Sequence, residues 1–193
     1  MLIRTGAMEC FQDVSPAIMG RRPGGPADVA VMSSALLGTA SGSVVGNVAG
    51  TGSFTIPLMK RTGFKPEFAG AVEAVASYGA PIMPPVMGSA AFLMAGFLGI
   101  SYWKIVIAAV IPALLYFLAI FAQIALRARR DGLGNVGVAL PRLGPVLASG
   151  GHFLLAIVAL VAPFFVGASP QRAALTGLGA LFVLSLMLVG GGG

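Results

Sequence analysis

Charged side chains are scarce. Of 193 residues, 12 are Lys or Arg and 6 are Asp or Glu, together 9%. A soluble domain usually carries about 25% charged residues, so too few are present to cover a water-facing surface. There is one cysteine, Cys10, which rules out an internal disulfide and a cysteine metal cluster. The lone histidine, His152, has no acid partner near it in sequence. No Gly-Lys-Ser/Thr phosphate loop occurs, so the chain is not an ATPase. With no catalytic constellation, the expectation is that the chain is not an enzyme, takes no cofactor and holds no transition metal. No signal peptide is visible, because residues 1–13 carry Arg4 but no apolar core of the required length.

What the sequence does contain is apolar: 57% of it, in long blocks. Residues 105–126 and 143–169 hold no Lys, Arg, Asp or Glu. A helix needs about 20 apolar residues to cross roughly 30 Å of hydrocarbon. The 28 glycines and 13 prolines would be costly in soluble helices. They are tolerated in membrane helices, where neighbours satisfy the freed backbone groups. The fold class is therefore an all-α integral membrane protein whose first partner is the lipid bilayer. The net charge of +6 sits beside apolar spans, as topology determinants do, and is not read as a nucleic-acid surface.

Residues 1–26 read as the end of a preceding helix and a cytoplasmic loop with Arg21 and Arg22. Two apolar runs follow, 28–40 and 44–59, separated by Thr39-Ala-Ser-Gly-Ser43 and closed by Lys60 and Arg61. At ~1.5 Å per residue each arm reaches only about 20 Å, too short to span. Residues 27–61 are predicted to form a re-entrant helical hairpin. Residues 66–98 are predicted to form a discontinuous transmembrane helix. Its break is Gly79-Ala-Pro-Ile-Met-Pro-Pro85, where three prolines remove donors and bar helical geometry. A transmembrane helix at 102–126 with a kink at Pro112, a cytoplasmic loop at 127–142 and two spans at 143–166 and 172–189 complete the chain. Two interrupted elements side by side are a pointer to a transport site. On this topology Arg21, Arg22, Lys60, Arg61, Lys65, Arg127, Arg129, Arg130 and Arg142 share one side, against Lys104 and Arg172. The excess predicts that the hairpin opens to the cytoplasm. Residues 190–193, four glycines, leave an apolar span without a polar tail and read as a truncated end. One hairpin and one broken helix are also half of an inverted-repeat design.

Gly38, Gly42, Gly46 and Gly50 recur every four residues. This is either a small-residue packing face of one helix or the means by which two hairpin arms approach the broken helix. Thr39, Ser41, Ser43, Asn47, Thr51 and Ser77 are the polar residues near the breaks. With carbonyls freed at helix ends they offer the oxygen ligands that sodium prefers. They serve equally well as helix-to-helix hydrogen-bond partners. Glu73 lies well inside an apolar segment and is an ionisable functional candidate. The alternative is that it reaches water or Lys65. His152 reads as a helix–helix hydrogen-bonding residue, with a proton relay the alternative. Tyr102 and Trp103 read as interfacial anchors. A channel or a structural membrane-assembly subunit remains the competing reading, although the spans show no polar stripe for a pore.

Four segments carry a family resemblance: Gly24-Gly-Pro-Ala-Asp-Val-Ala-Val31, Ser34-Ala-Leu-Leu-Gly-Thr-Ala-Ser-Gly-Ser43, Gly52-Ser-Phe-Thr-Ile-Pro-Leu-Met-Lys60 and Ile82-Met-Pro-Pro-Val-Met-Gly88. They resemble the large permease subunit of TRAP (tripartite ATP-independent periplasmic) transporters, and most of all the type in which small and large membrane subunits are fused. The resemblance implies an elevator-type, sodium-coupled permease in the bacterial inner membrane that imports a small organic acid. It implies two partners, a periplasmic substrate-binding protein and a small membrane subunit, fused or separate. It also carries a cation-site role to Ser41, Gly42, Ser43, Asn47, Ser77, Gly79 and Pro84; no substrate-binding residue can be named. The chain departs from the family pattern at Tyr78-Gly-Ala-Pro81, where a glycine-rich turn ending in Gln is common. The family's second hairpin is absent, in keeping with a truncated chain.

Overall fold

Local sequence signals set the helix ends. The computed structural model describes residues 14–20, 24–132 and 179, and all regular structure among them is helical. Helix α1 (Gly25–Ser41) begins with a proline in its first turn and Asp28 close behind, both favourable at a helix start. It ends at Gly42, whose φ of 58° is left-handed and whose N–H donates to the Gly38 carbonyl at 3.1 Å. Helix α2 (Val44–Arg61) starts at once: the Ser43 side chain accepts from the Gly46 N–H at 3.2 Å, an N-cap. Lys60 and Arg61 close it, where cations suit the helix dipole. These caps lengthen the arms to 17 and 18 residues, or about 26 Å each, beyond the 13 and 16 expected from the apolar runs.

The arms are antiparallel. Ser34 and Thr51, equally far from the two-residue turn, have their hydroxyl oxygens 3.2 Å apart. Helix α1 is buried along most of its length, whereas α2 buries one stripe: Asn47, Thr51, Gly52, Thr55 and Met59.

Helix α3 (Pro66–Tyr78) packs across both arms. A 3-10 turn (Ala80–Ile82), an irregular segment and helix α4 (Ser89–Leu98) follow. Helix α5 (Tyr102–Arg130) has 29 residues and a mean hydropathy of 2.8 over its most apolar window. Among the described residues it is the helix long and apolar enough to cross a membrane. At ~1.5 Å per residue it measures about 43 Å. It runs past the expected end at 126 because its last turn is basic and Arg127 Nε pairs with Asp131 at 2.6 Å. Ile107, Ile111, Leu114, Leu115 and Leu118 form its exposed apolar face.

Two contacts fix how the hairpin lies beside α5. Gly24, at the start of α1, sits against Ile124 and Ala128. The Arg127 guanidinium lies 5.6 Å from the Phe68 ring centroid, just after the α2–α3 loop. Both open ends of the hairpin therefore meet the C-terminal end of α5, bringing Lys60, Arg61, Lys65 and Arg127 to one end of the molecule. Lys104 lies at the opposite end of α5. The expected spans at 143–166 and 172–189 lie outside the described residues apart from 179, as do Cys10, Arg21, Arg22, Arg142, His152 and Arg172.

Candidate functional site

The hairpin tip and the proline-rich break meet. A Cβ added to Gly42 would overlap the Met87 carbonyl oxygen, and one added to Gly38 would lie 2.9 Å from the Ala80 Cα. Only glycine allows both close approaches. Met87 itself takes a left-handed φ of 55°, uncommon for a residue with a side chain. It is buried against Ala91, Tyr102, Ile105 and Val106.

Carbonyls released by the break find protein donors. Pro81 O accepts from the Gly88 N–H at 2.8 Å, Gly79 O from Ile82 at 3.2 Å and Ala80 O from Met83 at 3.2 Å. The Tyr102 hydroxyl donates toward Val86 O at 2.5 Å and Pro85 O at 3.1 Å. Tyr102, expected as an interfacial anchor, is 4% exposed, and its phenol gives these carbonyls a donor where an unpaired buried carbonyl would be costly.

A second polar group lies between the helices. Glu73 on α3 is 1% exposed. It accepts hydrogen bonds from the hydroxyls of Thr51 and Thr55 on α2, from Ser77 at 3.3 Å and from Ser34 on α1 at 3.5 Å. Among the described residues no Lys or Arg pairs with it. Of the two readings open for Glu73, contact with Lys65 fails, since Lys65 is exposed and Glu73 is enclosed by hydroxyls.

The residues expected to hold a cation divide between these two places. Ser41, Gly42 and Ser43 form the tip, where the Ser41 hydroxyl oxygen accepts from the Ser43 N–H at 3.5 Å. Pro84 is half-buried within the break. Asn47 turns inward: its Nδ2 donates to Ser34 O at 2.8 Å, while its Oδ1 receives only a long 3.4 Å contact from Thr51. Ser77 faces Glu73. Gly79 is buried under α5, where a Cβ would lie 2.5 Å from the Phe117 ring. The four-residue glycine pattern is not one helical face, because the helix ends at Gly42. Gly38 and Gly42 face the break, whereas Gly46 meets only the Ser43 side chain.

Ser34, Thr51 and Thr55 were not anticipated as partners of Glu73. The available signal was periodic: Asn47, Thr51 and Thr55 recur every four residues, and Glu73 and Ser77 are four apart. That spacing places each set on one helical face.

A model of the family described as tripartite ATP-independent periplasmic transporter, DctM component, matches residues 1–191. Three curated proteins are similar in part. One from Haemophilus influenzae, provisionally named a TRAP transporter large permease protein, is 29% identical over 103 residues, covering 53% of this chain and 24% of that protein. The uncharacterised y4mL of Sinorhizobium fredii is 33% identical over 97 residues, 50% of this chain and 23% of its own. The uncharacterised YgiK of Salmonella typhimurium is 29% identical over 118 residues, 61% and 27% respectively. The chain spans about a quarter of the length of these curated relatives.

Proposed function

The chain belongs to the DctM-component family of tripartite ATP-independent periplasmic transporters, and from that premise we propose that it is part of a sodium-coupled, binding-protein-dependent permease importing a small organic acid. Membership makes it a membrane transport permease; sodium coupling, the organic-acid substrate and the binding protein are carried over from the family resemblance, and the geometry supports the hairpin and the break. In this reading α1 and α2 are a re-entrant hairpin opening to the cytoplasm. The α3–α4 unit is a broken transmembrane helix, and together they are half of an inverted-repeat, elevator-type design. The partners are a periplasmic substrate-binding protein and a small membrane subunit, fused or separate. The location is the bacterial inner membrane, crossed several times.

The observation that carries the reading is that the two interruptions touch, Gly42 against Met87. Beside them Gly79 rests on Phe117, near the middle of the 29-residue α5. With α5 across a hydrocarbon core of about 30 Å, the breaks lie at the depth where transporters place substrate and ion sites. The basic end formed by Lys60, Arg61, Lys65 and Arg127 supports a cytoplasmic orientation. Sodium, as coupling ion, takes oxygen ligands. Ser41, Gly42 and Ser43 at the tip, Gly79 and Pro84 in the break, and the side-chain oxygens of Asn47 and Ser77 offer hydroxyl and carbonyl oxygens of that kind.

The test is uptake into vesicles holding the full-length permease and its binding protein. An inward sodium gradient is expected to drive uptake without ATP. Uptake driven by ATP with no ion gradient, or equal uptake without the binding protein, would reject the proposal.

A further inference from the structure

We propose that a cavity at the basic end of the molecule, where α3 begins and α5 ends, binds the phosphate group of an anionic phospholipid through Arg127 and Lys65. The proposal needs the chain to lie in a membrane and does not need sodium coupling, so the two fail independently.

The loop leaving α2 turns at Gly63, whose φ of 95° is left-handed. Beyond the turn Phe64 is buried and Lys65 is exposed. The Phe64 and Phe68 rings stack with centroids 5.8 Å apart, and the Arg127 guanidinium lies 5.6 Å from the Phe68 centroid. Arg127 Nε donates to Asp131 at 2.6 Å. Ring and carboxylate together fix the guanidinium and leave its two terminal nitrogens as donors for a ligand. Gly63, Phe64, Lys65, Phe68, Arg127 and Asp131 line a cavity of about 240 Å³.

The charges in the cavity select its occupant. Among the described residues no acid pairs with Lys65, and Glu67, exposed nearby on α3, does not line the cavity. Two cations and the Asp131 carboxylate leave a surplus of one positive charge. The single negative charge of a phosphodiester complements it. A phosphate monoester carries about −1.5 to −2 at pH 7 and would bring excess charge against Asp131. The flat fork of an arginine matches phosphate oxygens, and a lysine adds a point charge. The surroundings favour a lipid over a soluble ester. Helices α3 and α5 meet again where the Tyr116 hydroxyl donates to Val75 O at 2.7 Å, so a seam between them leads away from the charged end. Its flanks include Val75, 46% exposed, and Leu126, 68% exposed and next to Arg127. Acyl chains can lie on these apolar flanks while the phosphate sits in the cavity, the arrangement of basic headgroup pockets between membrane helices. A soluble phosphate would use none of that apolar surface.

The experiment uses the purified full-length permease, stripped of lipid in a neutral detergent and titrated with short-chain phosphatidylglycerol, with binding read by native mass spectrometry. Saturable binding is expected. Arg127→Gln should weaken it about tenfold, as for a lost hydrogen bond to a charged group. Arg127→Lys keeps the charge without the fork and should fall between that variant and the wild type. Lys65→Gln should weaken binding about fivefold; Lys65 is exposed, so this variant tests the site even if Arg127→Gln does not fold. Lys60→Gln alters the same end of the molecule outside the cavity and should leave binding unchanged. Inorganic phosphate forms the second arm and should displace the lipid only weakly. Three results would each overturn the proposal: binding that neither Lys65→Gln nor a folded Arg127→Gln weakens, an equal loss in Lys60→Gln and Lys65→Gln, or inorganic phosphate bound as tightly as the lipid.

Discussion

The Tyr102 hydroxyl donates to the Val86 carbonyl at 2.5 Å, tying the first residue of α5 to the break that precedes α4. The Phe92 ring stacks on Tyr102 with centroids 4.5 Å apart, so the phenol is held over the carbonyls it serves. Tyr102→Phe keeps the stacking and loses the donor. The full-length protein is expected to lose roughly 1 kcal/mol of stability, the usual net worth of such a bond, read as a lower unfolding temperature in detergent. Unchanged stability would mean that water replaces the hydroxyl.

Gly42 combines a left-handed φ of 58° with a backbone neighbour where a side chain would be. Gly42→Ala should cost more than the ~1 kcal/mol usual for a left-handed non-glycine residue, because the Met87 carbonyl must also move. Gly42→Val should lower transport further. Transport by Gly42→Val at the wild-type rate, at equal membrane abundance, would show that the tip and the break need not touch.

The hairpin reading places both its open ends on one side of the membrane. Single cysteines at Arg22 and Thr62, on either side of the hairpin in sequence, in a chain whose own Cys10 is replaced by Ser, should label from the cytoplasmic face only. Labelling from opposite faces would make residues 27–61 a spanning element.

Asn47 offers its side-chain oxygen while its nitrogen holds the Ser34 carbonyl. Asn47→Ala should raise the sodium concentration for half-maximal uptake, about tenfold if the lost oxygen contributes ~1.4 kcal/mol to ion binding. Membrane abundance should fall less. Normal sodium dependence after Ser41, Ser43 and Asn47 are each replaced by Ala would reduce all three to packing residues.

The sequence by itself determined the elements whose causes are local. The lack of charge and the long apolar blocks required a membrane solvent. The run of Gly42 and Ser43, and the prolines from Pro81 to Pro85, interrupted two helices wherever the rest of the chain might fold, since φ restriction and missing donors act within a few residues. The apolar run beginning near Tyr102 specified a long helix, because in hydrocarbon a run of that length must satisfy its backbone groups within itself. Tertiary structure alone decided which faces meet. The partners of Glu73 come from 18, 22 and 39 residues away on two other helices. A four-residue spacing says that Asn47, Thr51 and Thr55 share a face, not what that face touches. Tyr102 has the sequence position of an interfacial aromatic, yet the break it caps lies 16 residues earlier and comes within reach only when α4 folds back on α5. Hydrogen-bond partners across helices depend on rotation and depth, which packing sets and local sequence leaves free.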